Sequence, residues 1–301
     1  LTVYVKRYRG HVVATALVAQ EGGFDESTSW SIWTGRRRPH GHLVAQALSA
    51  YLGIEEAPAH RYARILRIAV HPKLRRRGFG RHLVERIATD SETQGIDCLG
   101  SSFGATPELL DFWTACGCET VRIGMRRDAS SGEHSALVLR ALSKSGTTLL
   151  ERTRQRFMRG LPVWLEDPLS DLSPELIARL NAPASAPDDT LDDQDWRDLT
   201  AFAFALRGYE MVQRPAEILV RQCLNDGSDQ AISTRQQAVL TCRVLERRDW
   251  NETVQRLELS GRREAVELVR TSLSPLLRAA GPEWISGLIE KAQADAPNAV
   301  E

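Results

Sequence analysis

The sequence predicts an α/β layer over residues 1–143, a basic junction at 144–160 and an all-α tail at 161–301. Three observations carry this. Short β-branched runs alternate with stretches of helical spacing through the first half, which is the pattern of a sheet flanked by helices. From Trp196 onward the apolar residues recur only at helical spacing. Between them in importance stands Arg64 to Arg86, RILRIAVHPKLRRRGFGRHLVER, where a strand, a Gly-rich turn and a helix follow one another directly.

In chain order, Thr2–Tyr8 and Val12–Ala19 read as two strands joined by a turn at Arg9-Gly10. The chain opens directly into a strand, with no leading helix. Next comes a basic, Gly/Pro-interrupted loop from Trp30 to His42, carrying Trp33, Arg36, Arg37 and Arg38. Arginines beside tryptophans suit RNA phosphates and unpaired bases; the same pattern also suits a surface loop whose tryptophans pack on the core. Leu43–Leu48 is a helix by periodicity.

The run Ile65–Val70 is a strand bounded by Pro72, and Leu83, Val84 and Ile87 mark an amphipathic helix. In the turn Arg75-Arg76-Arg77-Gly78-Phe79-Gly80 the glycines permit close backbone approach. The helix start that follows presents unpaired N–H groups, so the turn is an anion site reinforced by arginines. The glycine spacing differs from that of a dinucleotide-binding turn, and no acidic residue ends a following strand.

Cys98–Ser102 reads as a strand, and Thr106-Pro107 caps a helix from Glu108 to Cys116 that stops at Gly117. Glu119–Met125 and Ser135–Leu139 are strands linked through Arg126, Arg127 and His134. In the junction, Arg152, Arg154, Arg156 and Arg159 cover more than one helix face. That suggests a basic hinge, suited either to a phosphate backbone or to solvent. A short helix enters at Ser173-Pro174, residues 181–193 read as a surface linker, and helices are expected near 194–207, 213–224, 233–247 and 262–279. There is no internal repeat.

Lys plus Arg and Asp plus Glu are both 39, so net charge indicates no partner. Arginines nevertheless crowd around 36–38, 61–86, 122–127 and 152–159, and local basic clusters can hold a polyanion. The five cysteines are odd in number and form no Cys-x-x-Cys, which argues against a disulfide framework or structural zinc and for a reducing cytoplasm. Cys116-Gly-Cys118 reads as a helix-ending turn rather than a redox pair. No apolar run approaches the ~20 residues of a membrane span, and no signal peptide is visible.

The Arg75–Gly80 turn between strand and helix resembles motif A of the GNAT acetyltransferases. A complete GNAT domain normally has a strand and one or two helices ahead of a hairpin such as 1–20, so the chain is expected to be the later part of a longer protein. The likeness then narrows. Arg37-Arg38-Pro39-x-Gly41-x-Leu43-Val44-Ala45-Gln46, Arg67-Ile-Ala-Val-His71-Pro72, Ser102-Phe103-Gly104 and Ala129-Ser-Ser-Gly132 occur together and in order. Leu191-Asp-Asp-Gln-Asp195-Trp196 and Ala201-Phe-Ala-Phe-Ala205 continue it into the tail. Together they resemble the tRNA(Met) cytidine acetyltransferase family.

That resemblance implies a GNAT fold, acetyl-CoA as cosubstrate, and elongator methionine tRNA as partner, acetylated at N4 of its wobble cytidine. It implies that Ile68, Ala69 and Val70 pair with the pantetheine arm. Arg75, Arg76, Arg77, Gly78, Phe79, Gly80 and Arg81 would take the pyrophosphate, and Glu108 would lie at the CoA site. Candidate bases are Glu108, His134, His71 and His42, with His71 read as structural. RNA contacts are expected from Arg36, Arg37, Arg38, His42, Arg126, Arg127, Arg152 and Arg156. The family pattern has a CoA-contacting arginine where this chain has Ala115, so Arg122, Arg126 or another arginine is expected to replace it. The family's ATP-driven helicase module has no counterpart here, since the chain contains no Gly-x-x-x-x-Gly-Lys-Ser/Thr. Two other readings remain: a GNAT enzyme acting on a protein or small-molecule amine, and an RNA-binding module on a vestigial acetyltransferase fold.

Overall fold

The computed structural model describes residues 1–129, 131–181, 190–227 and 232–294. The chain divides into two compact units: residues 1–32 with 38–185, and residues 33–37 with 186–301.

The first unit holds a six-stranded sheet in the order β1-β2-β3-β4-β6-β5. Its strands are β1 (Thr2–Tyr8), β2 (His11–Gly22), β3 (Arg61–Val70), β4 (Cys98–Gly104), β5 (Glu119–Arg127) and β6 (His134–Ala141). Neighbours are antiparallel except β3 and β4, which are parallel. After the hairpin come α1 (Glu26–Trp33) and α2 (Leu43–Gln46), whose last turn widens over Ala47–Tyr51. The start of α2 is fixed by the buried Glu21 carboxylate. It accepts the Val44 N–H at 2.7 Å and pairs with Arg64, so an acid meets the positive end of the helix.

Two helices cover one face of the sheet. α3 (Phe79–Thr93) and α4 (Pro107–Ala115) bury Leu83, Val84, Ile87 and Trp113 against Ala63, Ile65, Leu99 and Val138. Each such side chain contributes roughly 1.5–3 kcal/mol when fully buried. The other face carries α2 and α5 (Lys144–Glu166), and α6 (Pro174–Leu180) lies against α4.

α5 corrects the hinge expectation. It is one 23-residue amphipathic helix on β5 and β6, with Leu149, Leu150, Phe157, Leu161 and Trp164 inward. Arg154 belongs to that inner side. It donates to the Thr120 carbonyl at 2.6 Å and the Leu180 carbonyl at 3.0 Å, and burial lowers its pKa. Dense arginine concealed the apolar stripe, because long basic stems can lie along a packed surface.

The second unit is helical: α7 (Asp193–Phe204), α8 (Gln213–Asp226), α9 (Thr234–Val239, continuing through a wide turn to Leu245), α10 (Trp250–Arg256), α11 (Arg262–Ala280) and α12 (Ile285–Ala294). Its core gathers Phe202, Leu219, Val239, Val269, Leu273 and Ile289. α10 and α12 were not anticipated. Of the expected linker, residues 182–189 lie outside the described residues. The segment 33–37 joins this unit: Trp33 is fully buried beneath Arg197 and Arg207, and Leu206 N–H bonds the Thr34 carbonyl at 2.9 Å. The Trp30–His42 loop is therefore partly helix α1.

Candidate active site

The sheet is split at its centre. β3 and β4 pair only from Tyr62↔Cys98 to Ile65↔Ser101. At the same level β3 carries a bulge: Val18 faces Ile65 and Leu17 faces Arg67, so Leu66 is extra. A bulge bends its strand, and beyond it Ile68, Ala69 and Val70 stay paired to Ala16, Thr15 and Ala14 of β2. Their other edge has no strand partner, so backbone groups there remain free for an extended ligand arm.

The Gly-rich turn sits at the end of that edge. Gly78 caps α3 at φ +81°, a left-handed conformation natural to glycine, and no side chain caps the helix. A Cβ on Gly80 would lie 3.1 Å from the Phe112 ring and 3.4 Å from Val70, so a side chain here would require the Phe112 ring to give by a few tenths of an ångström. Arg75, Arg76 and Arg77 are exposed, and among the described residues their side chains form no hydrogen bond or ion pair; the Arg75 backbone N–H closes the preceding turn on the Pro72 carbonyl at 3.3 Å. First-turn N–H groups, a lone positive cluster and a free strand edge together form a site suited to a long polyanionic ligand with an amide-bearing arm.

Glu108 is exposed in the first turn of α4, close enough to Arg179 to raise that arginine's pKa, although the Asp111 hydrogen bond does most of that. Arg179 itself forks onto Asp111 at 2.8 and 3.0 Å. His134 is buried, with Nδ1 2.7 Å from the Gly124 carbonyl and Nε2 2.9 Å from Asp171. Two acceptors hold its two nitrogens, and Arg127 donates to the same Asp171 at 2.6 Å. That hydrogen bond, with the one from His134, holds the Asp171 carboxyl below its usual range. This cluster ties the start of β6 and the end of β5 to Asp171, ahead of α6.

The remaining candidates scatter. His71 is exposed and accepts the Lys73 N–H at 3.3 Å, capping a short turn. His42 accepts the Gly22 N–H at 2.9 Å and tilts against Phe24, so Nδ1 is committed to the fold. Trp30 and Trp33 are buried, so of the two readings of this loop the one in which its tryptophans pack on the core fits them. Arg36 bonds the Ala292 carbonyl at 2.5 Å within the helical unit, while Arg37 and Arg38 are exposed. Arg126 is exposed, and Arg152 pairs with Glu56. Arg156 is half-buried.

Arg122 does not stand in for the arginine missing at Ala115. It occupies the sheet face opposite α4, against Tyr51. At the end of α4 Arg140 donates to the Cys116 carbonyl at 3.0 Å and pairs with Glu85 at 2.8 Å, and the charge of Arg81 is also felt at Cys116. Sequence reasoning missed the bulge at Leu66, since nothing in a strand's composition marks where its partner diverges.

All five cysteines are free and buried; burial pushes Cys98 and Cys118 up to about 12 and Cys116 up to about 11, which excludes them as thiolate nucleophiles near neutral pH. Among the described residues no helix is long and apolar enough to cross a membrane.

Comparison with known proteins agrees with this geometry. The family described as GNAT acetyltransferase 2 matches residues 7–90 and 87–143, and a tRNA-binding domain family matches 146–283. The tRNA(Met) cytidine acetyltransferase TmcA of Nitrosococcus halophilus is 48% identical over 95% of this chain, and that of Haloarcula marismortui is 32% identical over 97%. The chain spans 38% of the length of each. Among solved structures, the ribosomal-protein-S18-alanine N-acetyltransferase from Escherichia coli matches 47% of this chain, and 69% of its own, at 16% identity and a TM-score of 0.31. By its sequence this chain belongs to the tRNA(Met) cytidine acetyltransferase family, of which it carries the GNAT acetyltransferase and tRNA-binding regions.

Proposed function

We propose that this chain transfers acetyl from acetyl-CoA to the N4 amine of the wobble cytidine of elongator methionine tRNA, in the cytoplasm, forming N4-acetylcytidine. The observation that carries the reading is the split sheet beside the uncapped Gly78 helix start, in a chain whose remainder matches a tRNA-binding domain. The N–H groups of the 78–81 turn and Arg75–Arg77 bind the pyrophosphate, with Arg81 in place of the arginine absent at Ala115. The free edge of Ile68–Val70 aligns the pantetheine, and one of its N–H groups polarises the thioester carbonyl.

Cytidine's amine is conjugated with its ring and is a weak nucleophile, so orientation supplies much of the acceleration. N4 attacks the thioester carbon, the C–S bond breaks, and the N4 proton is lost as the tetrahedral intermediate forms and collapses; the CoA thiolate takes up a proton. Glu108 is the preferred proton acceptor, because it is exposed at the start of α4 while His134 is buried and held at both nitrogens. Arg37, Arg38, Arg126, Arg152 and Arg156 contribute to tRNA binding with the tail. ATP enters only through a helicase module that these residues do not contain.

The test is radiolabelled acetyl-CoA with unmodified elongator methionine tRNA, with and without ATP, beside a tRNA carrying another wobble base. Label on the cytidine of the first tRNA alone is expected. Label on protein or a small amine instead would replace the reading with the second GNAT function.

A further inference from the structure

The Arg122 side chain makes no hydrogen bond or ion pair among the described residues. Its Nε atom is shielded from solvent without a hydrogen-bond acceptor, and the partner found for the guanidinium among the described residues is the ring of Tyr51, 4.1 Å below it. A shielded N–H without an acceptor is costly, and natural folds rarely leave one so. Burial accordingly lowers its pKa. Tyr51 is itself 39% exposed, so the pair borders solvent rather than the core.

The register shows where the pair stands. Ser102 and Arg122 both face Leu137 of β6, and residues facing one another across strands point to the same side of the sheet. Along β4, Leu99 and Phe103 join the core beneath α3 and α4. Gly100 faces Val44 of α2, so Gly100, Ser102 and Arg122 look the other way. Ser102 lies one residue past Ser101, the last rung joining β3 to β4. Arg122 is therefore level with the mouth of the split and two strands, about 9–10 Å, from β4. It is on the face opposite the helix whose start binds the pyrophosphate. On the reading proposed above, a cosubstrate held at the α3 start and threading the split would present its acyl end on this second face, where the accepting base would arrive.

We propose that Arg122 reads the accepting pyrimidine, donating to cytosine O2 and N3 while the stacked Tyr51 ring holds the guanidinium plane in place. This rests on the cytidine-acetylating reading above. A two-donor fork matches the adjacent acceptors O2 and N3 of cytosine and leaves N4 free to attack. Uracil presents an N3–H at the same place, a donor facing a donor, so the contact also selects cytosine.

The test uses the full chain, acetyl-CoA, and RNA in which the target base is cytidine or 3-deazacytidine, which lacks the N3 acceptor. Wild type should lose about tenfold to a hundredfold in kcat/KM on 3-deazacytidine. Arg122→Met should lose a similar factor on cytidine and show little further loss on the deaza substrate, with acetyl-CoA affinity unchanged. Tyr51→Phe should retain activity, and Tyr51→Ala should fall toward Arg122→Met without adding to it. Equal wild-type rates on the two bases would overturn the proposal even if Arg122→Met failed to fold, as would full losses that simply multiply. Absence of label on cytidine with wild type would instead refute the underlying reading.

Discussion

Arginines serve opposite ends in the two units. In the Gly-rich turn the side chains of Arg75, Arg76 and Arg77 stand exposed without a partner among the described residues. In the helical unit they are woven into the structure. Arg207 is buried against Asp198, Arg214 meets Asp195 at 2.9 Å, and Arg243 lies between Tyr209 and Trp250. Arg270 donates to the Phe202 and Ala205 carbonyls at the end of α7. Buried cations need acceptors or aromatic faces, and this unit supplies them; the turn supplies none, which leaves its charge for a ligand. Clustering of basic residues is thus a poor guide to binding until the acceptors around them are known.

The sharpest way to test that contrast is to remove one acceptor from the helical unit. Asp198→Ala leaves Arg207 charged and buried, and should destabilise the unit by about 3–5 kcal/mol in denaturant melts. Acetyl-CoA affinity, measured by calorimetry on the folded fraction, should not change. If affinity fell in step with stability, the division of labour would be wrong.

Changing the turn should do the reverse. Gly78→Val forces a β-branched residue into a left-handed conformation that L-residues adopt at about 1–2 kcal/mol. The turn would shift to escape it, and loss of two charge-assisted contacts corresponds to about a hundredfold weaker acetyl-CoA binding. Replacing Arg75, Arg76 and Arg77 together by alanine should weaken binding by about tenfold at low salt and less at high salt, since these charges are solvent-exposed. Melting should stay within about 0.5 kcal/mol. A large stability loss would mean that these arginines are structural after all.

The smallest effect belongs to the His134–Asp171–Arg127 brace. The folded pKa of Asp171 is depressed, so its contribution is present above the unfolded value, near 3.9, and is lost as pH falls below it. The carboxylate is half exposed, which limits the contribution to about 1 kcal/mol or less. Thermal melts of Asp171→Asn and wild type should converge between pH 5 and 3, both values being on the order of the unfolded carboxylate range. A gap that persisted at low pH would mean the brace acts through packing instead.

Most of the strands and the Gly-rich turn were legible in the sequence because their signals are local. Alternation, Pro72, Thr106-Pro107 and the two glycines each act over a few residues. The strand β3 runs four residues further back than expected, because Arg61 and Arg64 sit in it. The helix α1 was hidden among loop residues, and α10 and α12 are short. The place of Gly78 and Gly80 at the start of α3 was readable from type and spacing. The roles of His134, His42 and the tryptophans were not, because a histidine or tryptophan looks alike in sequence whether it faces a ligand or a carbonyl of its own chain.

The sequence by itself determined the α/β-then-α order, the Gly-rich turn between strand and helix and, through motifs in series, the family. Only the tertiary structure decided where β3 leaves β4, which arginines find acceptors, and that Arg122 finds none. The physical reason is the range of the interactions. Helix, strand and turn preferences are written within a few neighbouring residues, whereas strand divergence and hydrogen-bond satisfaction depend on groups distant in sequence, such as Leu17 with Arg67, His134 with Asp171, and Tyr51 with Arg122.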